Sequence, residues 1–91
     1  MAKMFVTLKL MPESLEIDFD SIRNKVKEIV AKQGGELLDK DEYEPVAFGL
    51  KALKLIFYID ESKGSDEINE EVSQIEGISS ATVVDMRRAM G

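Results

Sequence analysis

Along the first residues, Met4, Val6, Leu8 and Leu10 alternate with Phe5, Thr7 and Lys9, a period of two that predicts a strand over Lys3 to Met11. Pro12, which lacks a backbone donor, ends it. The period then lengthens. Ile22, Val26, Ile29 and Val30 recur at the spacing of one helical face, with Asp18 and Asp20 where a helix start favours acids and Gly34 and Gly35 at its stop. Glu36 to Tyr43 predicts a second, more polar strand at an edge, with Leu37, Leu38 and Tyr43 as its apolar members. After Pro45, the segment Leu50 to Asp60 places Leu53, Leu55, Phe57 and Ile59 on one face. Ile56 and Tyr58 on the other predict a central strand, partly covered on both sides. Gly64 and Ser65 open a second helix whose apolar face is Ile68, Val72 and Ile75, and Gly77 closes it. Ile78 to Met86, with Thr82, Val83 and Val84, is the last strand.

The predicted order is β-α-β-β-α-β, without repeats or linkers, in a single domain over residues 1–91. The fold class is α+β: a ferredoxin-like βαββαβ sandwich, with two helices on one face of a four-stranded antiparallel sheet. That arrangement hosts unrelated activities, so function has to come from the residues.

Composition narrows the chemistry. The chain has no cysteine and no histidine, which removes disulfides, thiolate nucleophiles, the commonest general base near neutral pH and the commonest transition-metal ligand. No apolar run reaches the ~20 residues of a membrane span and no signal-peptide pattern opens the chain, so the expected location is cytoplasmic. The net charge of −6 is concentrated: Asp60 to Glu76 holds seven acids against Lys63, and the other 74 residues balance. This acidic stretch reads as a solvated helix face, or as an anionic surface that meets a basic partner.

Three chemistries are poorly supported. The first loop, Met11-Pro12-Glu13-Ser14, offers an anion where a phosphate-cradling loop needs cations, no glycine-rich phosphate loop occurs, and no serine has an activating base. Asp60, Ser62 and Glu71 share positions of a calcium loop, but the turn glycine falls one place early at Gly64. Phe5, Phe57 and Tyr58 on the two central strands invite comparison with RNA-stacking sheets. The acidic balance and the missing RNA-binding motif argue against that.

Protein binding remains. Glu44-Pro45-Val46-Ala47-Phe48-Gly49-Leu50 puts apolar residues and a large aromatic between two strands, where a hairpin normally carries polar turn residues. Either Val46 and Phe48 fold back on the core, or the aromatic is presented to a partner as an anchor. At the other feature, Asp85-Met86-Arg87-Arg88-Ala89-Met90-Gly91, two arginines lie among methionines; this is either a frayed end or an anion-seeking tip beside an adaptable apolar surface.

With these motifs the chain resembles the guanine-nucleotide exchange factor family of elongation factor 1-beta, in its archaeal form, over essentially its whole length. The resemblance rests on Met11-Pro12-Glu13-Ser14, on Glu44 through Leu53 (Glu-Pro-Val-Ala-Phe-Gly-Leu-Lys-Ala-Leu), and on Ile75-Glu76-Gly77-Ile78 leading to Asp85-Met86-Arg87-Arg88. It implies an exchange factor that binds the GTPase elongation factor 1-alpha and speeds GDP release, without covalent catalysis, a cofactor or a metal of its own. It also implies no direct nucleic-acid or membrane contact, and a monomer. The partner-binding residues it implies are Pro45, Phe48, Gly49, Arg87, Arg88 and Met90, with Phe48 packing on the GTPase. Eukaryotic members end with a lysine that disturbs the magnesium site. Here no lysine follows Lys63, which leaves Arg88 as the candidate substitute. Two rival classes are a ligand-binding or oligomerising regulatory module of the same fold, and a structural subunit without exchange activity.

Overall fold

The two periods of the sequence become a sheet and the helices laid on one of its faces. A computed structural model describes residues 3–46, 49–60 and 65–89. Within them lie β1 (Lys3–Pro12), α1 (Phe19–Lys32), β2 (Glu36–Leu37), β3 (Glu42–Pro45), β4 (Lys51–Asp60), α2 (Ser65–Ser73) and β5 (Ile78–Ala89). β1 sits between β4 and β5, antiparallel to both, and β4 carries β2 and β3 on its other side. This is the expected α+β architecture, with the second strand position filled by two short strands.

The alternation in β1 sorts its side chains as the sequence predicts. Val6, Leu8 and Leu10 are fully buried, facing Ile22, Val26 and Val30 of α1 and Ile68 and Val72 of α2. From β4, Leu53, Leu55, Phe57 and Ile59 complete the same core. Full burial of each such side chain stabilises the fold by ~1.5–3 kcal/mol. Two helices then cover one face only, so Phe5, Thr7 and Lys9 of β1 and Lys54, Ile56 and Tyr58 of β4 form an open face. Phe57, read at first with Phe5 and Tyr58 as a stacking aromatic, belongs to the core. Phe5 and Tyr58 pair across the strands with ring centroids 5.0 Å apart, and the Lys3 ammonium stands 5.8 Å from the Tyr58 ring.

The helix signals are also used. Asp18 caps α1, its carboxylate accepting the Asp20 amide at 3.1 Å, a contribution of ~1 kcal/mol. Gly34 just past the end takes φ +83°, a left-handed turn that suits glycine. Lys32 in the last turn pairs with Glu71 of α2 at 2.9 Å and ties the helices together.

The predicted second strand does not run unbroken. Glu36 stands opposite Tyr58 and Glu42 opposite Lys54, so six steps along the edge cover four along β4 and two residues are in excess. The excess leaves the ladder between Leu38 and Asp41, where Asp39, Lys40 and Asp41 are poor strand formers. Arg23 of α1 holds the excursion: its Nε donates to Asp41 Oδ2 at 2.8 Å, and its Nη2 to Asp39 Oδ1 at 2.9 Å and to the Leu38 carbonyl at 3.1 Å. β5 is irregular too. Leu8 faces Val83 while Thr7 faces Asp85, so Val84 is an extra residue. The bulge lets Val83 and Met86, three apart, pair with Leu8 and Val6; Val83 packs on the core while Met86 stays half exposed.

The Arg23 clamp makes a specific expectation. Arg23→Ala should cost about 1–2 kcal/mol and speed amide exchange from Leu38 to Glu42, since hydrogen bonds from a charged donor are lost. Asp39→Ala should cost less than about 0.5 kcal/mol, its carboxylate being 99% exposed. Urea unfolding and native-state exchange of the two variants separate these outcomes.

Candidate functional site

The short connections place the two apolar-rich features at opposite ends of the sheet. Pro45 closes β3 opposite Lys51, the first residue of β4. The Val46 amide donates to the Leu50 carbonyl at 2.8 Å, closing the chain around the connection. Gly49 takes φ +75°, a backbone setting that any side chain would strain. Ala47 and Phe48 lie outside the described residues. Pro45 and Gly49 are both exposed.

Beside this turn lies the loop after β1. The Glu13 amide donates to the Gly77 carbonyl at 2.9 Å, joining that loop to the start of β5. Leu15 on it is 72% exposed, and its Cδ2 lies 3.9 Å from where a Cβ on Gly49 would stand. Phe19, the first residue of α1, meets Tyr43 of β3 edge to face with ring centroids 5.6 Å apart. Pro12, Ser14, Leu15, Phe19, Gly49 and Leu50 surround a recess of about 240 Å³. Sequence reasoning missed Leu15, since an isolated leucine in a polar loop belongs to neither period.

Arg87 and Arg88 lie at the other end. They are part of β5, opposite Phe5 and Met4, and the strand runs on to Ala89, three residues beyond the predicted end at Met86. The frayed-end reading is therefore corrected for residues 87–89: β1 is long enough to pair them. Arg87 shares the open face with Phe5, and its Nε donates to Asp85 Oδ2 at 3.0 Å. Arg88 shares the side of Met4. Met90 lies outside the described residues. From Lys51 to Tyr58, seven residues along β4 separate the two ends by roughly 23 Å. The described candidates thus fall at two ends of the sheet, Pro45 and Gly49 at one and Arg87 and Arg88 at the other, in a molecule measuring 42 × 21 × 20 Å.

Charge is distributed between the faces. Asp66, Glu67 and Glu70 are exposed on α2, and Glu76 follows it. On the open face cations and acids alternate. Lys9 Nζ lies 3.0 Å from Glu44 Oε2, and Lys54 Nζ 3.8 Å from Glu44 Oε1. These two ammonium groups, Lys9 foremost, hold the Glu44 carboxyl below the usual glutamate range. A shallow hollow of about 630 Å³ there is bordered by Thr7, Lys54, Ile56, Val84 and Arg87, with Asp85 and Glu42 among its walls; the charges do not converge on one sign. Among the described residues no group of three or more acidic side chains could hold a metal ion. The calcium-loop reading spans residues 61–64, outside the described set. No described helix is long and apolar enough to cross a membrane.

The described residues thus make an α+β sandwich with Pro45 and Gly49 exposed at one end of the sheet and Arg87 and Arg88 at the other. The chain belongs to the EF-1 guanine nucleotide exchange domain family, whose pattern matches residues 5–89. It is 40% identical over 91 residues to elongation factor 1-beta of Methanothermobacter thermautotrophicus, covering 99% of this chain and all of that protein. Elongation factor 1-beta of Nanoarchaeum equitans is 41% identical over 83 residues, 90% of this chain and all of its own length. That of Staphylothermus marinus is 39% identical over 90 residues, 97% of this chain and 98% of the relative. Guanine-nucleotide exchange in translation elongation is the function these findings support, and such a domain acts on a GTPase.

The Glu44 ion pairs carry a pH dependence. A depressed folded value means that their stabilisation is present above the ordinary value of 4.5 and is lost as pH falls through the lower, folded value. Glu44→Gln should therefore be less stable than the wild type at neutral pH by a small amount, and the difference should vanish in acid. Urea unfolding of both proteins across the acid range tests this.

Proposed function

We propose that the GTPase is elongation factor 1-alpha, and that this chain releases its GDP by binding alone, in the cytoplasm and as a monomer. The observation that carries the proposal is the turn from Pro45 to Leu50, fixed by the Val46–Leu50 hydrogen bond at the end of a rigid sheet. In this reading Phe48, which falls within that segment of the sequence, is the aromatic anchor, with Pro45 and Gly49 as its flanks in the chain. Arg87 and Arg88 at the far end are assigned to the phosphate and magnesium region of the GTPase, where cations suit the charge. Met90 is assigned to the same contact.

Exchange of this kind breaks no covalent bond. A factor that binds the nucleotide-free GTPase more tightly than the GDP-bound form must weaken GDP by the same ratio. Each tenfold weakening takes about 1.4 kcal/mol of differential contact. A buried aromatic and a few directed polar groups supply energies of that size. Two contacts roughly 23 Å apart give the factor a lever, because both must fit one conformation of the partner. The acids of α2 steer association toward a basic surface, an effect on rate that salt screens.

The test is release of a fluorescent GDP analogue from elongation factor 1-alpha, chased with excess GTP, with this protein below stoichiometric amounts. Wild type should accelerate release at catalytic ratios. Phe48→Ala and the double change Arg87→Ala with Arg88→Ala should each lower the stimulated rate by about tenfold or more while melting like wild type. An unchanged off-rate with wild type would point to a structural subunit instead. For steering, charge reversal at Glu70 and Glu71 should flatten the salt dependence of the stimulated rate.

A further inference from the structure

The apolar surface at the turn end of the sheet extends beyond the turn itself. Leu15 is the most exposed of the large apolar side chains among the described residues, at 72%, and Tyr43 follows at 52%. Leu15 makes no contribution to the core, whose inward row ends at Leu10 and Pro12. An isolated exposed leucine is ordinary on a protein surface. This one is placed: its Cδ2 lies within van der Waals reach of the space above Gly49, and it forms one wall of the recess of about 240 Å³. The remaining walls are Pro12, Phe19, Leu50 and the Ser14 and Lys51 rim. Two independent backbone ties hold those walls, Glu13 to Gly77 on the Leu15 side and Val46 to Leu50 on the turn side. The recess is preformed.

We infer that Leu15 and this recess are a second docking point for the same GTPase, taking one protruding aliphatic or aromatic side chain of the partner beside the contact made by Phe48. The inference rests on the reading of the Pro45–Leu50 turn as the docking turn. It follows from continuity, since Gly49 belongs to the turn and lines the same recess as Leu15. It also follows from physics: hot spots occur where an apolar group is desolvated in a pocket with little reorganisation, and an anchored recess bordered by an exposed leucine meets that condition. The acidic residues of the same loop, Glu13 and Glu16, are exposed around it and form a polar rim.

The experiment titrates the exchange factor against GDP-loaded elongation factor 1-alpha and reads the concentration that gives half-maximal acceleration of GDP release. Leu15→Asp should raise that concentration about tenfold and Leu15→Ala severalfold, while Leu15→Met, which keeps an apolar chain of similar volume, should restore it. Thermal melting of all three should match wild type, because the side chain is mostly in water. Phe48→Ala is run alongside. If Phe48→Ala raises the half-saturation concentration and Leu15→Asp leaves it unchanged, the recess is not a docking point and the inference is overturned while the turn reading stands. If neither variant moves it, both fall together. A rise with Leu15→Asp that Leu15→Met does not reverse would also overturn it, since the effect would then be of charge or loop shape rather than of apolar contact.

Discussion

Everything in this fold is indexed to the inward row of β1. Val6, Leu8 and Leu10 are without solvent exposure; across the sheet they pair with Phe57, Leu55 and Leu53 of β4, all buried, and with Met86, Val83 and Ala81 of β5, of which Val83 and Ala81 pack on the core. A slip of one residue would drive Phe5, Thr7 and Lys9 into the core and expose the row, so the register has one solution. The bulge at Val84 and the excursion at 38–41 are adjustments that keep neighbouring strands in step with it. Through the register, the strand lengths also decide where Pro45 at the end of β3 and the arginines of β5 stand, at opposite ends of the sheet.

The electrostatic design is divided between the two sides of the sheet. On the helical side Asp66, Glu67, Glu70 and Glu76 are exposed on and just after α2, and Lys32 of α1 pairs with Glu71. The open side is internally compensated by pairs such as Lys9 with Glu44 and Arg87 with Asp85. Such exposed pairs contribute little to stability.

The elements with strong periods were legible in the sequence. β1 and β4 alternate cleanly, and α1 is bounded by Asp18 and Gly34, so burial, capping and placement all follow from residue type. The second strand was legible only at its two ends. Its interruption depends on Arg23, eighteen residues upstream of Asp41, and no local pattern announces a side chain arriving from a helix. The end of β5 was read too short because Asp85, Arg87 and Arg88 look like a polar tail; their pairing is imposed by the length of β1. Of the candidate site, the turn around Pro45 and Gly49 was legible as an anomaly of apolar residues in a hairpin connection. The distance between it and the arginines was not, since that is a property of the sheet.

β5 has a further consequence. It is the last strand of the sheet and pairs with β1 alone among the described residues, which leaves a twelve-residue row of backbone groups on its outer edge. A flat edge of that length is a template for strand addition by another chain, and so for aggregation. The extra residue at Val84 interrupts the row near its middle and increases the local twist, so a second strand laid along it would lose register after a few bonds. Asp85, Arg87 and Arg88 then place charges along the part that remains straight. The longest edge among the described strands is thus both interrupted and charged, two features that disfavour strand addition.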